Sequence, residues 1–288
     1  MRSGDMEQDK NRDDHVISHF GGEWKAFNYL ESDQLEEVRE QFAAYVRPLP
    51  PQLLVGSNLV IADFGAGSGR WAHFLLDYAR QLWLVEPGNE SFSILQRRFG
   101  DNEEVHLLHE TVSENTIPND SLDLAVSLGV LHHVPDTGLG MRDIYKKIKP
   151  GGYFLCYLYY ALENKPFIYR SIWNISNGFR IGISRLPYRL RRIVCEIIAT
   201  LVYWPMAKLS KVMEKTGLSS RNLPLHHYKD MNFYVMRNDA YDRFGTSLEQ
   251  RFTQKEISEM VGYAGFDVAT LIFSEVEPFW TFVARKPA

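Results

Sequence analysis

The sequence predicts an α/β fold in which a mostly parallel sheet carries helices on both faces. Short apolar runs typical of strands alternate with helix-like patterns from Leu59 to Tyr160. The alternation stops over residues 161–245 and then returns for one helix and two strands. A connection of that length is commonly functional. We therefore expect an N-terminal segment (1–50), a core (51–160 and 246–288) and a mostly helical cap insertion (161–245).

The strands and helices of the core follow from the spacing of apolar residues. The predicted strands are Leu59–Asp63, Leu82–Glu86, Val105–His109, Leu122–Leu128, Tyr153–Tyr160, Asp267–Phe273 and Phe279–Arg285. Helical spacing of three and four residues joins Trp71, Phe74, Leu75 and Tyr78; Phe92, Leu95 and Phe99; Met141, Ile144, Tyr145 and Ile148; and Ile257, Met260, Val261 and Ala264. Thr253 and Glu256 have the spacing of a capping box before the last of these helices.

The N-terminal segment combines a charged start with a predicted helix. Residues 1–14 are predicted to be disordered because they are polar and charged. Asp33 and Glu36 have capping-box spacing, and Leu35, Val38 and Phe42 would mark one face of the following helix.

Composition favours a cytoplasmic globular protein. The 288 residues carry a net charge of −4, which is too small to indicate a nucleic-acid partner. Cys156 and Cys195 lie in apolar runs and predict buried thiols in a reducing compartment. We expect no leader and no membrane span, since the best apolar run, Ile193–Ala207, contains Glu196 and Pro205.

Three glycines follow the first predicted strand at every second position. Gly65, Gly67 and Gly69 would let the backbone turn tightly and approach a ligand. A dinucleotide fingerprint would need glycine at Arg70 instead. Asp63, just before the loop, would repel a pyrophosphate and suits a ligand with a cationic end. Glu86, about twenty residues after the loop, is placed to accept hydrogen bonds from ribose hydroxyls, whichever nucleoside ligand is present.

Four segments together resemble class I S-adenosylmethionine-dependent methyltransferases. They are DFGAGSGR (63–70), LVEP (84–87), SLGVLHHVPD (127–136) and IKPGGYF (148–154). HFGGEWKAF (19–27) is similar to a bacterial small-molecule branch in which an N-terminal segment covers the cofactor and an insertion after strand five caps the substrate. The resemblance implies a Rossmann-like seven-stranded sheet in the order 3-2-1-4-5-7-6, with the last strand antiparallel.

The resemblance also implies roles for individual residues. The methionine part of S-adenosylmethionine would be held by Asp63, Gly65, Ala66 and Gly67. Glu86 would bind the ribose and Pro87 would lie beside the adenine. Leu128 and Gly129 would supply backbone near the sulfonium. Thr111 and Val112 stand where many members have an aspartate that binds the adenine amine, and Thr111 departs from that pattern.

Two histidine-bearing segments are candidates for the acceptor side. His132 and His133 follow strand four at the ligand-binding edge, where an imidazole could act as a general base or could simply brace the turn before Pro135. A second group would line the substrate pocket or pack beneath the cap: His226, His227, Tyr228, Tyr241 and Arg243. No metal site is expected, because the histidine pair lacks further ligands at metal-binding spacing.

The cap insertion is basic and amphipathic. Ten Lys and Arg residues stand against two acids from Lys165 to Lys215. An apolar stripe is formed by Leu190, Ile193, Val194, Ile197, Ile198 and Leu201. Three interpretations stay open: a solvated basic helix packed on the core, a receptor for an anionic acceptor, or a peripheral contact with a membrane that holds a lipid-linked acceptor.

The predicted function is methyl transfer from S-adenosylmethionine to oxygen or nitrogen of a small acceptor. The amino-methylase motif Asn/Asp-Pro-Pro-Tyr is absent after strand four, which disfavours nucleic acid as the acceptor. Two alternatives remain: a nicotinamide-dependent oxidoreductase and a non-catalytic cofactor-binding partner of another enzyme. The sequence leaves an oligomeric state open.

Overall fold

The computed structural model describes residues 11–26, 32–56, 58–163, 166–220, 223–274 and 280–288, and within them it leaves the side chains of 22–26 and 32–37 undescribed. The strands of the described residues are β1 (Leu59–Phe64), β2 (Ala79–Val85), β3 (Val105–Leu108), β4 (Leu122–Leu128), β5 (Ile148–Leu158), β6 (Asp267–Phe273) and β7 (Trp280–Arg285). The helices are α1 (Asp14–Ala26), α2 (Ser32–Val46), α3 (Ala72–Leu75), α4 (Asn89–Phe99), α5 (Thr137–Lys147), α6 (Phe167–Ser184), α7 (Tyr188–Ile198), α8 (Trp204–Lys215), α9 (Phe233–Gly245) and α10 (Gln254–Ala264).

The strands form one sheet in the order β3-β2-β1-β4-β5-β7-β6, which confirms the predicted Rossmann-like topology. β1 pairs in parallel with β2 and β4, whereas β7 is antiparallel to both β5 and β6. Parallel strands are buried on both faces, and Ile61, Phe64 and Leu124 are accordingly shielded from solvent. The carboxyl ends of β1, β2 and β4 therefore meet at one edge of the sheet.

Two compact units make up the chain. Unit 1 comprises Met1–Tyr160 and Gln250–Ala288 and contains the sheet, and unit 2 comprises Ala161–Glu249. Unit 2 is helical among its described residues: α6, α7, a π-helical segment (Ala199–Tyr203), α8 and α9. Within unit 2, Arg237 Nε donates to Glu196 Oε2 at 2.7 Å, which joins α9 to α7.

The predicted helix after the glycine loop is much shorter than expected. α3 contains only one turn, because its bonds tighten to the i→i−3 pattern: Asp77 N donates to the Phe74 carbonyl and Tyr78 N to that of Leu75. β2 then begins at Ala79, three residues earlier than predicted. β5 also begins earlier than the predicted Tyr153, at Ile148, so Ile148 belongs to this strand rather than to the helical pattern before it.

The described part of the charged N-terminus is anchored, contrary to the prediction of disorder. Asn11 is buried, its Nδ2 donates to the Asp136 carbonyl at 3.0 Å, and its Oδ1 accepts from the Asp136 amide at 2.7 Å. This reciprocal pair ties the chain start to the α5 N-cap. Residues 1–10 and the predicted Asp33–Glu36 capping box lie outside the described residues and side chains. The second predicted capping box, between Thr253 and Glu256, is present at α10.

Candidate active site

The loop between β1 and α3 depends on glycine at each alternate position. Gly65, Gly67 and Gly69 all have positive φ, at 80°, 57° and 83°. A Cβ on Gly65 would lie 2.5 Å from both γ-carbons of Val130, and one on Gly69 would collide with the Phe99 ring. Such backbone strongly favours glycine. The spacing that indicated a ligand loop therefore also meets a packing requirement.

The amides of this loop are already used within the protein. Gly65 N and Ala66 N both donate to the Val85 carbonyl, at 2.8 and 3.0 Å. Gly67 N donates to Glu86 Oε2 at 2.9 Å. The predicted backbone contacts to the methionine part of the cofactor would therefore be made by the loop carbonyl groups, since these three amides already donate within the protein. The bonds fix the loop against the end of β2.

Two acidic side chains are buried where β1 and β2 end. Asp63 is 1% exposed and Glu86 is 7% exposed. Glu86 accepts amide hydrogens from Gly67 and Gly88, whereas Asp63 Oδ2 has no hydrogen-bond partner among the described residues. Buried polar atoms are normally satisfied. The unpartnered oxygen marks a place for a donor that comes from a ligand.

Burial shifts the titration of both acids in the same direction. Desolvation raises the pKa of Asp63 to about 7, and repulsion from Glu86 adds to that rise. Desolvation also raises the pKa of Glu86 to about 7, although the amides of Gly88 and Gly67 oppose it. A cationic ligand with hydroxyl groups would stabilise both carboxylates. The α-ammonium group and ribose of S-adenosylmethionine have this donor chemistry, so the residues present fit that cofactor.

The remaining predicted cofactor residues lie along the same edge. Gly129 N donates to the Tyr157 carbonyl at 3.3 Å, directly after buried Leu128. Thr111 and Val112 are buried after β3, and Thr111 Oγ1 accepts from the Glu114 amide at 3.0 Å. The Pro87 carbonyl lies 3.1 Å from the His109 ring nitrogen Nε2.

The two histidines after β4 lie in an aromatic cluster. His132 is fully buried and stacks on Tyr159, with ring centroids 3.9 Å apart. Neither ring nitrogen of His132 has a hydrogen-bond partner among the described residues. Burial above all, with help from His133 and Arg251, holds the pKa of His132 well below its usual value. His132 is therefore neutral at pH 7.

The N-terminal helices contact both sides of this region. On α1, the Phe20 ring lies 4.8 Å from that of His133, and a Cβ on Gly21 would meet the Glu90 carboxylate. On α2, the Tyr45 ring lies 5.3 Å from that of Tyr157. The cofactor-covering role predicted for this segment stays a prediction, but its aromatic contacts place it against the site.

The predicted substrate residues of unit 2 make contacts within that unit. Tyr228 is buried and its hydroxyl donates to Asp239 Oδ2 at 2.7 Å. Arg243 donates to Ser176 Oγ at 2.8 Å. His226 Nδ1 lies 2.8 Å from Ser220 Oγ, His227 packs on the Tyr228 ring, and Tyr241 is buried. Their role in binding substrate stays a prediction.

Sequence reasoning missed Tyr157, Tyr159 and Arg251. Tyr159 stacks on His132, and the Arg251 guanidinium lies 4.9 Å from the centre of the Tyr159 ring. A signal existed for the tyrosines, because they stand at the end of β5 as the histidines stand beyond β4. Arg251 carried no comparable signal, since it joins the group only through the return of the chain from unit 2.

Comparisons with known proteins agree with this fold. Residues 62–156, from β1 to β5, match a family described as a methyltransferase domain. The chain is 28% identical over 138 residues to a methyltransferase of Claviceps purpurea, covering 46% of this chain and 43% of that protein. It is 22% identical over 225 residues to YqeM of Bacillus subtilis, also described as a methyltransferase, covering 76% of this chain and 78% of the relative.

A solved S-adenosylmethionine-dependent methyltransferase from Mesorhizobium loti shares the fold. Its TM-score is 0.50 at 17% identity, over 86% of this chain and 100% of that one. The chain spans less than half of the Claviceps relative, so what is shared is the domain. Residues 62–156 thus form a methyltransferase domain, and its sheet order and glycine loop are those expected of the class I S-adenosylmethionine-dependent enzymes.

Replacement of Gly65 by alanine should cost more than the same change at Gly56. Both glycines have φ near 80°, but a Cβ at Gly56 meets nothing within 4 Å. Each variant should lose about 1–2 kcal/mol for left-handed backbone, and Gly65→Ala should lose more because Val130 must move. Urea unfolding measures both values, and equal losses would contradict the packing requirement.

The affinity for S-adenosylhomocysteine should fall as the pH falls through 7. Asp63 has a pKa of about 7 in the free protein, and only its ionised form attracts the ligand ammonium. The fraction ionised then implies about tenfold weaker binding at pH 6 than at pH 8. Asp63→Asn should bind weakly at both pH values, whereas exposed Asp101→Asn should behave as wild type. Calorimetry at the two pH values measures this, and a pH-independent wild-type affinity would contradict it.

The same acid should destabilise the ligand-free protein above neutral pH. Because folding raises its pKa above the unfolded value of 3.8, the folded state binds more protons, and stability falls as pH rises from about 4 to 7. Asp63→Asn should therefore raise the ligand-free Tm at pH 8 and change it little at pH 4. Thermal unfolding at both pH values provides the test, and an unchanged Tm at pH 8 would count against a strained carboxylate.

Proposed function

We propose that this protein transfers the methyl group of S-adenosylmethionine to an oxygen or nitrogen atom of a small polar acceptor. The observation that carries the proposal is the pair of buried acids, Asp63 and Glu86, at the ends of adjacent strands beside the glycine loop. The pair suits a ligand with an ammonium group and ribose hydroxyls, and it disfavours the pyrophosphate of a nicotinamide dinucleotide.

The residues around this pair divide the work of binding and proton transfer. Bound S-adenosylmethionine supplies an electrophilic methyl group on a positively charged sulfur. Asp63 is placed to neutralise the ammonium group, and Glu86 to accept from the ribose hydroxyls. The rings of Phe20, His133 and Tyr159 would keep water away from the acceptor, and orientation and water exclusion account for much of the catalysis expected here.

His132 is the candidate general base. A fully buried imidazole without a hydrogen-bond partner among the described residues is costly to retain. Its lowered pKa keeps the ring unprotonated, so that Nδ1 or Nε2 offers a lone pair to an acceptor hydroxyl or amine. Histidine in this role contributes about 10²–10⁴-fold to a rate. His133, which was predicted beside it, contacts Phe20 and is the weaker candidate.

The acceptor is proposed to be anionic or lipid-linked. The argument is the charge of residues 166–220 of unit 2, which carry nine Lys and Arg against two acids. Phosphate or carboxylate groups on an acceptor would be attracted to such a surface. This excess of positive charge would not strengthen the binding of a neutral acceptor.

The first experiment is calorimetric titration with S-adenosylhomocysteine and, separately, with NADH. We expect binding of S-adenosylhomocysteine that is lost in Asp63→Ala and Glu86→Ala, and none of NADH. Binding of NADH instead would favour the oxidoreductase alternative. Incubation of methyl-labelled S-adenosylmethionine with aqueous and chloroform extracts of cells then tests transfer, and binding without transfer to any fraction would favour the non-catalytic alternative.

His132→Gln should lower the rate of methyl transfer by about 10²–10⁴-fold while leaving the affinity for S-adenosylhomocysteine unchanged. With cofactor saturating, the wild-type rate should show no fall near pH 6.5, because the pKa of His132 lies well below that value. The matched variant is His133→Gln, for which we expect a smaller loss. A His132→Gln rate equal to wild type would leave orientation as the source of catalysis and remove the base.

A further inference from the structure

Four of the six residues predicted to form the apolar stripe of the insertion are exposed, whereas Val194 and Ile198 are half-buried. Leu190, Ile193, Ile197 and Leu201 are 48%, 57%, 50% and 69% exposed. Trp204 extends the same face one turn further at 46% exposure, and Lys208, Lys211 and Lys215 continue it with spacings of three and four residues. One side of the helix thus runs from apolar to basic along its length.

The preceding helix exposes a second apolar stripe. On α6, Ile168, Ile172, Ile175 and Phe179 recur at intervals of four, three and four residues, and each is at least 48% exposed. Gly178 and Gly182 lie on the same helix with open space around them. We call the two outward stripes, of α6 and of α7–α8, the apolar–basic face of unit 2. Exposed apolar surface of this extent marks an interaction site.

The helix of the first stripe, Tyr188–Lys215, packs along one side on the rest of unit 2. Tyr188–Lys215 forms one run of 28 residues and is long and apolar enough to cross a membrane by length and composition. Its opposite side, however, is buried at Cys195, Ala199, Tyr203, Ala207 and Ser210. Glu196 on this helix also pairs with Arg237 of α9. A transmembrane position would break these contacts, so the helix is suited to lie on a surface.

The positive charge of the apolar–basic face indicates which kind of partner it binds. Exposed basic residues accompany the apolar stripes: Arg170, Arg185, Arg189, Arg192, Lys208 and Lys215. The two acids of residues 166–220 are engaged, Glu196 with Arg237 and Glu214 with Lys229. A second copy of the chain would bring the same positive charge against this one, and lysine is depleted in the cores of protein interfaces. Anionic lipid headgroups complement it.

We propose that unit 2 docks on the surface of an anionic lipid bilayer through the apolar–basic face. The isoleucine, leucine and phenylalanine side chains enter the boundary between headgroups and acyl chains, as in other interfacial amphipathic helices. Trp204 and Lys208, whose ammonium lies 5.8 Å from the indole centre, occupy the headgroup level. The exposed basic residues Arg170, Arg185, Arg189, Arg192 and Lys215 contact lipid phosphates. Docking is inferred only from the exposed side chains and charges of unit 2, so it does not rest on the proposed methyl transfer.

Co-sedimentation of the full chain with vesicles tests the proposal. We expect binding to an equal mixture of phosphatidylcholine and phosphatidylglycerol, weak binding to phosphatidylcholine alone, and release by high salt. Loss of two basic residues in Lys208→Gln/Lys215→Gln should weaken binding by about thirtyfold. Ile193→Ser/Leu201→Ser should weaken it at every salt concentration. Each variant should keep wild-type affinity for S-adenosylhomocysteine, which separates this proposal from the proposed function.

The matched control is Tyr263→Ser/Val268→Ser, which removes two exposed apolar residues of unit 1. It should bind vesicles as wild type does. The proposal is overturned if wild type ignores anionic vesicles, if the control loses as much binding as Ile193→Ser/Leu201→Ser, or if the bound protein resists alkaline carbonate as a spanning helix would. A dimer that Ile193→Ser/Leu201→Ser dissociates, with no vesicle binding, would assign the face to a second copy instead.

Discussion

Burial of Asp63 and Glu86 side by side is the main constraint on the structure at the edge of the sheet where β1 and β2 end. Loss of hydration raises the pKa of each carboxyl to about 7, and repulsion from Glu86 adds to the rise at Asp63. The protein compensates Glu86 with the amides of Gly67 and Gly88, and the first of these bonds also fixes the glycine loop. Asp63 Oδ2 receives no such compensation among the described residues. The carboxylate of Asp63 therefore lowers the stability of the ligand-free protein, and a bound cationic ligand would offset that loss. Groups with shifted pKa values of this kind are concentrated at binding sites.

The sheet could be predicted from sequence because parallel strands are buried on both faces and appear as continuous apolar runs. Strands β4 and β6 have the predicted bounds. The starts of β2 and β5 were misplaced because hydrogen bonding, not apolarity, decides them. The chain after Leu75 tightens into i→i−3 bonds and passes directly into β2, and Ile148 pairs with Leu122 of β4. Asn11 was misjudged for a related reason, since its partner Asp136 lies 125 residues away.

The acidic pair and the glycine loop were visible in sequence because each sits at a fixed place relative to a strand end. The aromatic surroundings of His132 were not, because stacking on Tyr159 depends on how β4 and β5 are registered. In the insertion, the helical spacing of the apolar residues was clear from the sequence. Spacing alone does not show, however, which side of a helix is buried. The buried side holds Tyr203 together with the small residues Cys195, Ala199, Ala207 and Ser210, which allow close packing within unit 2.

An outward apolar stripe changes what the insertion is for. A helix that packed its large apolar residues inward would need no partner, and its basic residues would be an ordinary solvated face. Here the large residues Ile193, Ile197 and Leu201 are exposed. Folding therefore leaves their apolar surface in contact with water, where its burial by a partner would be favourable. An anionic bilayer takes up both the apolar area and the positive charge. An acceptor held in that bilayer would then be presented to the enzyme at high local concentration, and two weak interactions, with the surface and with the acceptor, would act together.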